Sequence, residues 1–186
     1  MQNKKIIRLI LATAFILLIP LVAMQFTEEV NWTFMDFVFA GVLLFGTGLT
    51  YEIAARKSGA IAYRLAVGVA LAAAFLLIWI NAAVGIIGNE DNPANLMFGG
   101  VLAVGLIGAI LARLKPHGMA RALFATALAQ TMIPVIAVII WRPNFSPGVV
   151  FVFGLNAFFV ILFIGSALLF RRAARQPHQL GVEPAA

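Results

Sequence analysis

The sequence contains no cysteine and little charge, with 11% of its 186 residues being Asp, Glu, Lys or Arg. Without cysteine there is no disulfide, thiolate nucleophile, Cys-ligated zinc or iron–sulfur cluster. Soluble domains average about 25% charged and about 45–50% apolar residues. A chain that is 63% hydrophobic is therefore not an ordinary water-soluble domain. Histidine is scarce, with His117 and His178 outside the apolar runs, and serine is confined to Ser58, Ser146 and Ser166. No Ser/His pairing, HExxH motif, phosphate loop or pair of mid-membrane aspartates is present, and neither histidine can ligate haem from within a span. The expectation is a protein that is not an enzyme and carries no cofactor.

What the chain does have is long apolar runs and a mean hydropathy of +1.03. Six can be drawn: Lys5–Met24, Met35–Ala54, Ile61–Ile87, Asn95–Leu114, Met119–Trp141 and Val149–Phe170. Each is close to the ~20 residues that cross a bilayer as a helix. All six are apolar around the full turn, as expected of helices surrounded by lipid and by one another. The short alternating segments of a membrane barrel are missing. The predicted fold is all-α, an integral membrane bundle of six transmembrane helices. Residues 1–170 form one domain, and 171–186 form a cytoplasmic tail.

Lys4, Lys5 and Arg8 precede the first run, Arg56, Lys57 and Arg64 flank the second connection, Arg113, Lys115 and Arg121 flank the fourth, and Arg171, Arg172 and Arg175 follow the last. Twelve of the 13 basic residues thus fall on one side, and Arg142 alone falls on the other. Because cytoplasmic loops carry the Lys/Arg excess, both termini are expected in the cytoplasm. An odd number of spans would destroy this agreement. The net charge of +6 is accounted for by topology and anionic lipid headgroups, so membrane lipids are expected partners and nucleic acid is not. The first run is too long for the usual core of a signal peptide, and the best cleavage point, after Ala23, has the large Leu21 three residues before the cut; an uncleaved span is expected.

The boundary residues recur. Arg8, Arg64 and Arg121 are evenly spaced, as are Arg56, Arg113 and Arg171, and Leu18–Ala23 is echoed by Met132–Ala137. This pattern suggests three tandem helical hairpins, although evenly spaced spans with short loops produce similar periods without ancestry. Start signals recur too. Thr33 stands three residues before Asp36, a capping-box spacing, while Asn92-Pro93 and Ser146-Pro147 place a capping residue before a proline. Lys57-Ser58-Gly59 and Lys115-Pro116-His117-Gly118 are expected as turns.

Polar residues inside a membrane are costly and are the first candidates for function. Gln130 lies mid-span, four residues before Pro134, which has no N–H to offer the Gln130 carbonyl. Pro20 does the same to Ile16, so helix kinks are expected at Pro20 and Pro134. Asn81, Asn156, Thr13 and Thr47 complete the candidate polar path or pocket. The competing explanation is interhelical bonding at about 0.6 kcal/mol apiece. Asp36 is better explained as a cap, and Glu52 as an ion-pair partner of Arg56 four residues on. The acidic Glu28, Glu29, Glu90 and Asp91 lie opposite the basic side, where Arg142 is available to pair with Glu28, Glu29 or Asp36. They lack the spacing of a calcium loop, and a metal site is not expected.

Glycine is concentrated at Gly46, Gly48, Gly99, Gly100, Gly105 and Gly108, with small-xxx-small spacings at Gly68/Ala72, Gly46/Thr50 and Gly108/Ala112. Such residues allow close approach within the protein, to a second copy or to another membrane protein. The run Ala83–Gln130, through Gly85-Ile86-Ile87-Gly88-Asn89-Glu90-Asp91-Asn92-Pro93 and Pro116-His117-Gly118-Met119-Ala120-Arg121, resembles small uncharacterised multi-pass inner-membrane proteins of bacteria. That resemblance implies a bacterial inner-membrane location and supplies no catalytic residues. The functional expectation is a small transporter or channel for a small solute or cation. The alternatives are an accessory or assembly subunit and, last, a lipid-modifying enzyme.

Overall fold

The computed structural model describes residues 2–141 and 146–179. Among these the regular structure is helical, without strands: α1 (Gln2–Ala23), α2 (Phe34–Ala55), α3 (Ile61–Ala83), α4 (Met97–Ala112), α5 (Pro116–Trp141) and α6 (Pro147–Gln179), with a 3-10 turn, Pro93–Leu96, leading into α4. Six helices, counting the 3-10 turn with α4, are long and apolar enough to cross a membrane.

Helix ends follow local chemistry, which also explains where the drawn boundaries move. At α2 the Thr33 N–H and hydroxyl both donate to Asp36 Oδ2, at 2.7 and 2.8 Å, and the Asp36 N–H faces Thr33 Oγ1, a reciprocal cap. The third apolar run does not stay helical to Ile87. Helix α3 ends at Ala83, because Gly85 takes a left-handed φ of +68° and turns the chain away. The expected turn at Pro116–Gly118 is instead the first turn of α5, with Pro116 at the opening position where its missing N–H costs nothing. The expected tail is helical in its first part: α6 runs on to Gln179, and the Arg171 guanidinium sits 5.1 Å from the centre of the Phe124 ring, a cation–π contact.

The chain divides into two compact units, Met1–Ala54 and Ala55–Ala186. In the first, α1 and α2 run antiparallel and meet at a few side chains. Lys5 Nζ donates to Glu52 at 2.8 Å, Leu9 packs onto Gly48, and Leu17 meets the open side of Gly41. Lys5 is a partner for Glu52 that the sequence spacing to Arg56 did not suggest.

In the second unit α4 packs on α5, α5 on α6, and α6 on α3, while α3 and α4 touch sparingly. The middle pair is therefore not a packed hairpin. Its long connection, residues 84–96, lets α3 turn to α6 and α4 to α5. The α4–α5 seam is close because it is built from small residues. Gly105 faces Thr126, Gly108 faces Ala122, and Gly118 faces Ala112. By contrast, Gly46, Gly99 and Gly100 have nothing within 4 Å of the place where a Cβ would stand. The α3–α6 seam is held by an edge-to-face pair, Tyr63 and Phe170, and by the Ser166 hydroxyl, which donates to the Ala66 carbonyl at 2.7 Å. At the end of α4, Arg113 and Leu114 both have positive φ, 49° and 58°. The Tyr63 hydroxyl donates to the Leu114 carbonyl at 2.8 Å and ties this strained turn to α3.

Candidate functional site

Gln130 is fully buried, and its Nε2 donates to Asn156 Oδ1 across the α5–α6 seam at 2.8 Å. Asn156 Nδ2 donates back to the Val152 carbonyl at 2.8 Å. At about 1.5 Å per residue, Gln130 lies roughly 16 Å from the end of α5, about half of a ~30 Å hydrocarbon core. Its remaining oxygen, Oε1, is buried without a partner. Pro134 removes the donor that would normally serve the Gln130 backbone carbonyl. Gln130 thus leaves one side-chain acceptor without a donor, beside a backbone carbonyl that has lost its usual one, in a medium where an unpaired polar group costs about 1–3 kcal/mol.

One turn further along each helix, Pro134 and Val152 form part of a cleft of about 430 Å³. Its lining comes from three places. The 84–92 connection supplies Gly85, Ile86, Ile87, Gly88 and Asn92; α5 supplies Pro134, Ala137 and Val138; and Ser146 with the start of α6 supplies the rest, including Phe151 and Phe153. Among the described residues no charged side chain lines it, and the polar side chains are those of Asn92 and Ser146. It lies at the end of the unit opposite Arg64, Lys115 and Arg175, with the exposed Glu90 and Asp91 next to Asn92 in the chain.

The wall from 85 to 89 is organised by Asn95, a residue that the sequence offered only as the start of a span. Asn95 is buried, with 4% of its surface exposed. Its Oδ1 accepts the N–H groups of Ile86 and Ile87 at 3.1 and 2.8 Å, and its Nδ2 donates to the carbonyls of Ile87 and Asn89 at 3.3 and 2.6 Å. The signal that would have found it is an asparagine close behind two glycines in an apolar stretch, since a returning turn needs one side chain to satisfy its inward amides.

The sequence candidates are only partly brought together. Gln130 and Asn156 are bonded to each other. Asn81 lies at the end of α3, where its Nδ2 donates to the Asn95 carbonyl at 3.3 Å and its Oδ1 is buried and unpartnered. Thr13 and Thr47 belong to the other compact unit, and the Thr47 hydroxyl is spent on the Leu43 carbonyl of its own helix. Thr126 and Thr131 are similarly turned back onto Ala122 and Ala127. Both Pro20 and Pro134 sit inside their helices. Arg142 and the pairing expected of it lie outside the described residues. Among the described residues, no group of three or more His, Asp or Glu side chains comes together.

Comparison with protein-family models, with curated proteins and with solved structures finds no match for this chain.

Proposed function

We propose that this multi-pass membrane protein is a small transporter for a compact, uncharged solute, which enters through the cleft and is handed to the Gln130–Asn156 pair. The observation that carries the reading is the unpartnered Gln130 Oε1, buried at mid-membrane one turn from the cleft lining. A neutral solute is favoured over an ion because the described lining residues carry no charge to offset the loss of an ion's hydration. Gln130 and Asn156 are sealed from solvent, being 0% and 2% exposed. That seal favours a gated carrier over an open pore.

The Lys/Arg distribution supports a bacterial inner-membrane orientation with both termini in the cytoplasm, so that the cleft faces outward. A second reading, an accessory subunit bound to another membrane protein or to a second copy, is supported by the open space beside Gly99 and Gly100 on α4. The test is uptake of small neutral solutes, glycerol and urea among them, into liposomes containing the purified protein. Transport predicts entry faster than into empty vesicles, and slower entry with Gln130→Leu. Flux equal to empty vesicles across the series rejects the carrier reading, and flux unaffected by the substitution removes Gln130 from the path.

A further inference from the structure

We propose that Asn95 is the positioning residue of the cleft: its side chain fixes the 85–89 turn and thereby sets how far the cleft stands open. This deepens the reading above and rests on the cleft being the site of entry. The geometry is specific. The turn supplies four of the lining residues, Gly85, Ile86, Ile87 and Gly88, and the Asn95 amide holds that turn by two accepted and two donated hydrogen bonds. An amide is suited to this position because both its acceptor and its donor face are used; a carboxylate retains only the first and a carboxamide one methylene longer overshoots.

The turn is otherwise held at its ends, where the Gly85 N–H donates to the Asn81 carbonyl and the Asn92 N–H to the Asn89 carbonyl, each at 3.2 Å. Gly85 and Gly88 hold φ values of +68° and +76°, conformations that glycine adopts without preferring them. The Ile86 side chain is buried, with 3% exposed, so the turn cannot swing outward without bringing Ile86 to the surface. Asn81 adds one bond, from its Nδ2 to the Asn95 backbone carbonyl, which anchors the residue itself to the end of α3. Between those ends, the amides and carbonyls of Ile86, Ile87 and Asn89 on this wall are held by the Asn95 side chain.

The absence of cysteine allows a direct test in the full-length protein. Single cysteines are placed at Ile86 (under the turn), at Val149 (on the facing wall) and at Leu106 (exposed on α4), and their reaction with a charged thiol reagent is timed in mild detergent. In an Asn95→Ala background, labelling at Ile86 should accelerate about tenfold or more, equivalent to about 1.4 kcal/mol of lost protection. Val149 should change in the same direction and Leu106 should hold its rate. Asn95→Asp, which keeps the acceptor, should fall between, and provides the reading if the alanine variant does not fold. Unchanged rates at Ile86 and Val149 in folded variants would overturn the proposal. Equal acceleration at all three sites would also overturn it, since that reports general loosening. No solute enters the experiment, so its outcome is independent of whether the protein transports anything.

Discussion

The Gln130–Asn156 pair makes opposite predictions for stability depending on whether it is interhelical glue or a polar group kept for a ligand. The wild type holds one buried unpaired atom at the pair, Gln130 Oε1. Gln130→Leu removes it but strands Asn156 Oδ1, so the number of unpaired atoms is unchanged. The loss is one interhelical bond, about 0.6 kcal/mol in membrane bundles. Asn156→Leu strands both Oε1 and Nε2 of Gln130. One further unpaired atom at about 1–3 kcal/mol, together with the lost bond, puts the variant roughly 2–3 kcal/mol below wild type. The Val152 carbonyl also has its ordinary helical donor, so losing the Asn156 Nδ2 bond adds little. The double variant leaves no unpaired atom at the pair. It gains about 1–3 kcal/mol by removing the orphan and loses about 0.6 kcal/mol with the bond, and so should equal or exceed wild type. The assay is reversible unfolding in mixed micelles at rising dodecyl sulfate, followed by helical circular dichroism. The expected order is double variant at or above wild type, then Gln130→Leu, then Asn156→Leu. A double variant less stable than wild type by more than about 1.5 kcal/mol would refute the reasoning, because the pair would then stabilise more than its bond and its orphan allow.

Three further outcomes test other parts of the structure. Gly108→Val on the α4–α5 seam, where a Cβ would stand 2.6 Å from that of Ala122, should cost about 1–3 kcal/mol as overpacking. Gly99→Ala, with open space around it, should be neutral or slightly stabilising, and the same unfolding assay separates the two. Tyr63→Phe should cost about 0.5–1.5 kcal/mol and raise amide exchange at Arg113 and Leu114, since it releases the carbonyl that ties their left-handed turn to α3; exchange indistinguishable from wild type would mean that the turn holds itself. In the proposed orientation, cysteines substituted for Glu28 or Asp91 should react with an impermeant thiol reagent on intact cells, and one at Arg175 should not. The reverse pattern would invert the topology and close the cleft to the outside.

The six helices were legible in the sequence because the bilayer imposes a length and a composition on each span, and the starts of three spans because Thr33, Asn92 and Ser146 carry side chains that cap. The choice of helix partners was not legible. Between spans, hydrophobicity does not mark a contact face, since lipid tails are as apolar as leucine. The glycines illustrate the difficulty. Gly105 and Gly108 meet α5 closely, while Gly99 and Gly100, a turn or two away on the same helix, meet nothing, although all four read alike. The same ambiguity hid the splayed α3–α4 pair, whose similar length and spacing suggested a hairpin.

Polar residues behave differently, because each one buried in hydrocarbon must account for its hydrogen bonds, and that accounting separates the candidates. Thr47, Thr126 and Thr131 close theirs within a single turn of their own helices and need nothing further. Asn95 closes its account on the folded-back turn, a solution invisible until Gly85 and Gly88 reverse the chain. Gln130 does not close its own, and Pro134 takes from its backbone carbonyl the usual helical donor. That imbalance was half legible: the proline four residues on showed in the sequence, but the unpaired Oε1 required knowing that Asn156 takes the Nε2 proton. A residue that stabilises by completing its bonds is replaceable by any that completes them. Gln130 leaves an acceptor open, and in the proposed role a donor arriving from the cleft is the partner that would offset it.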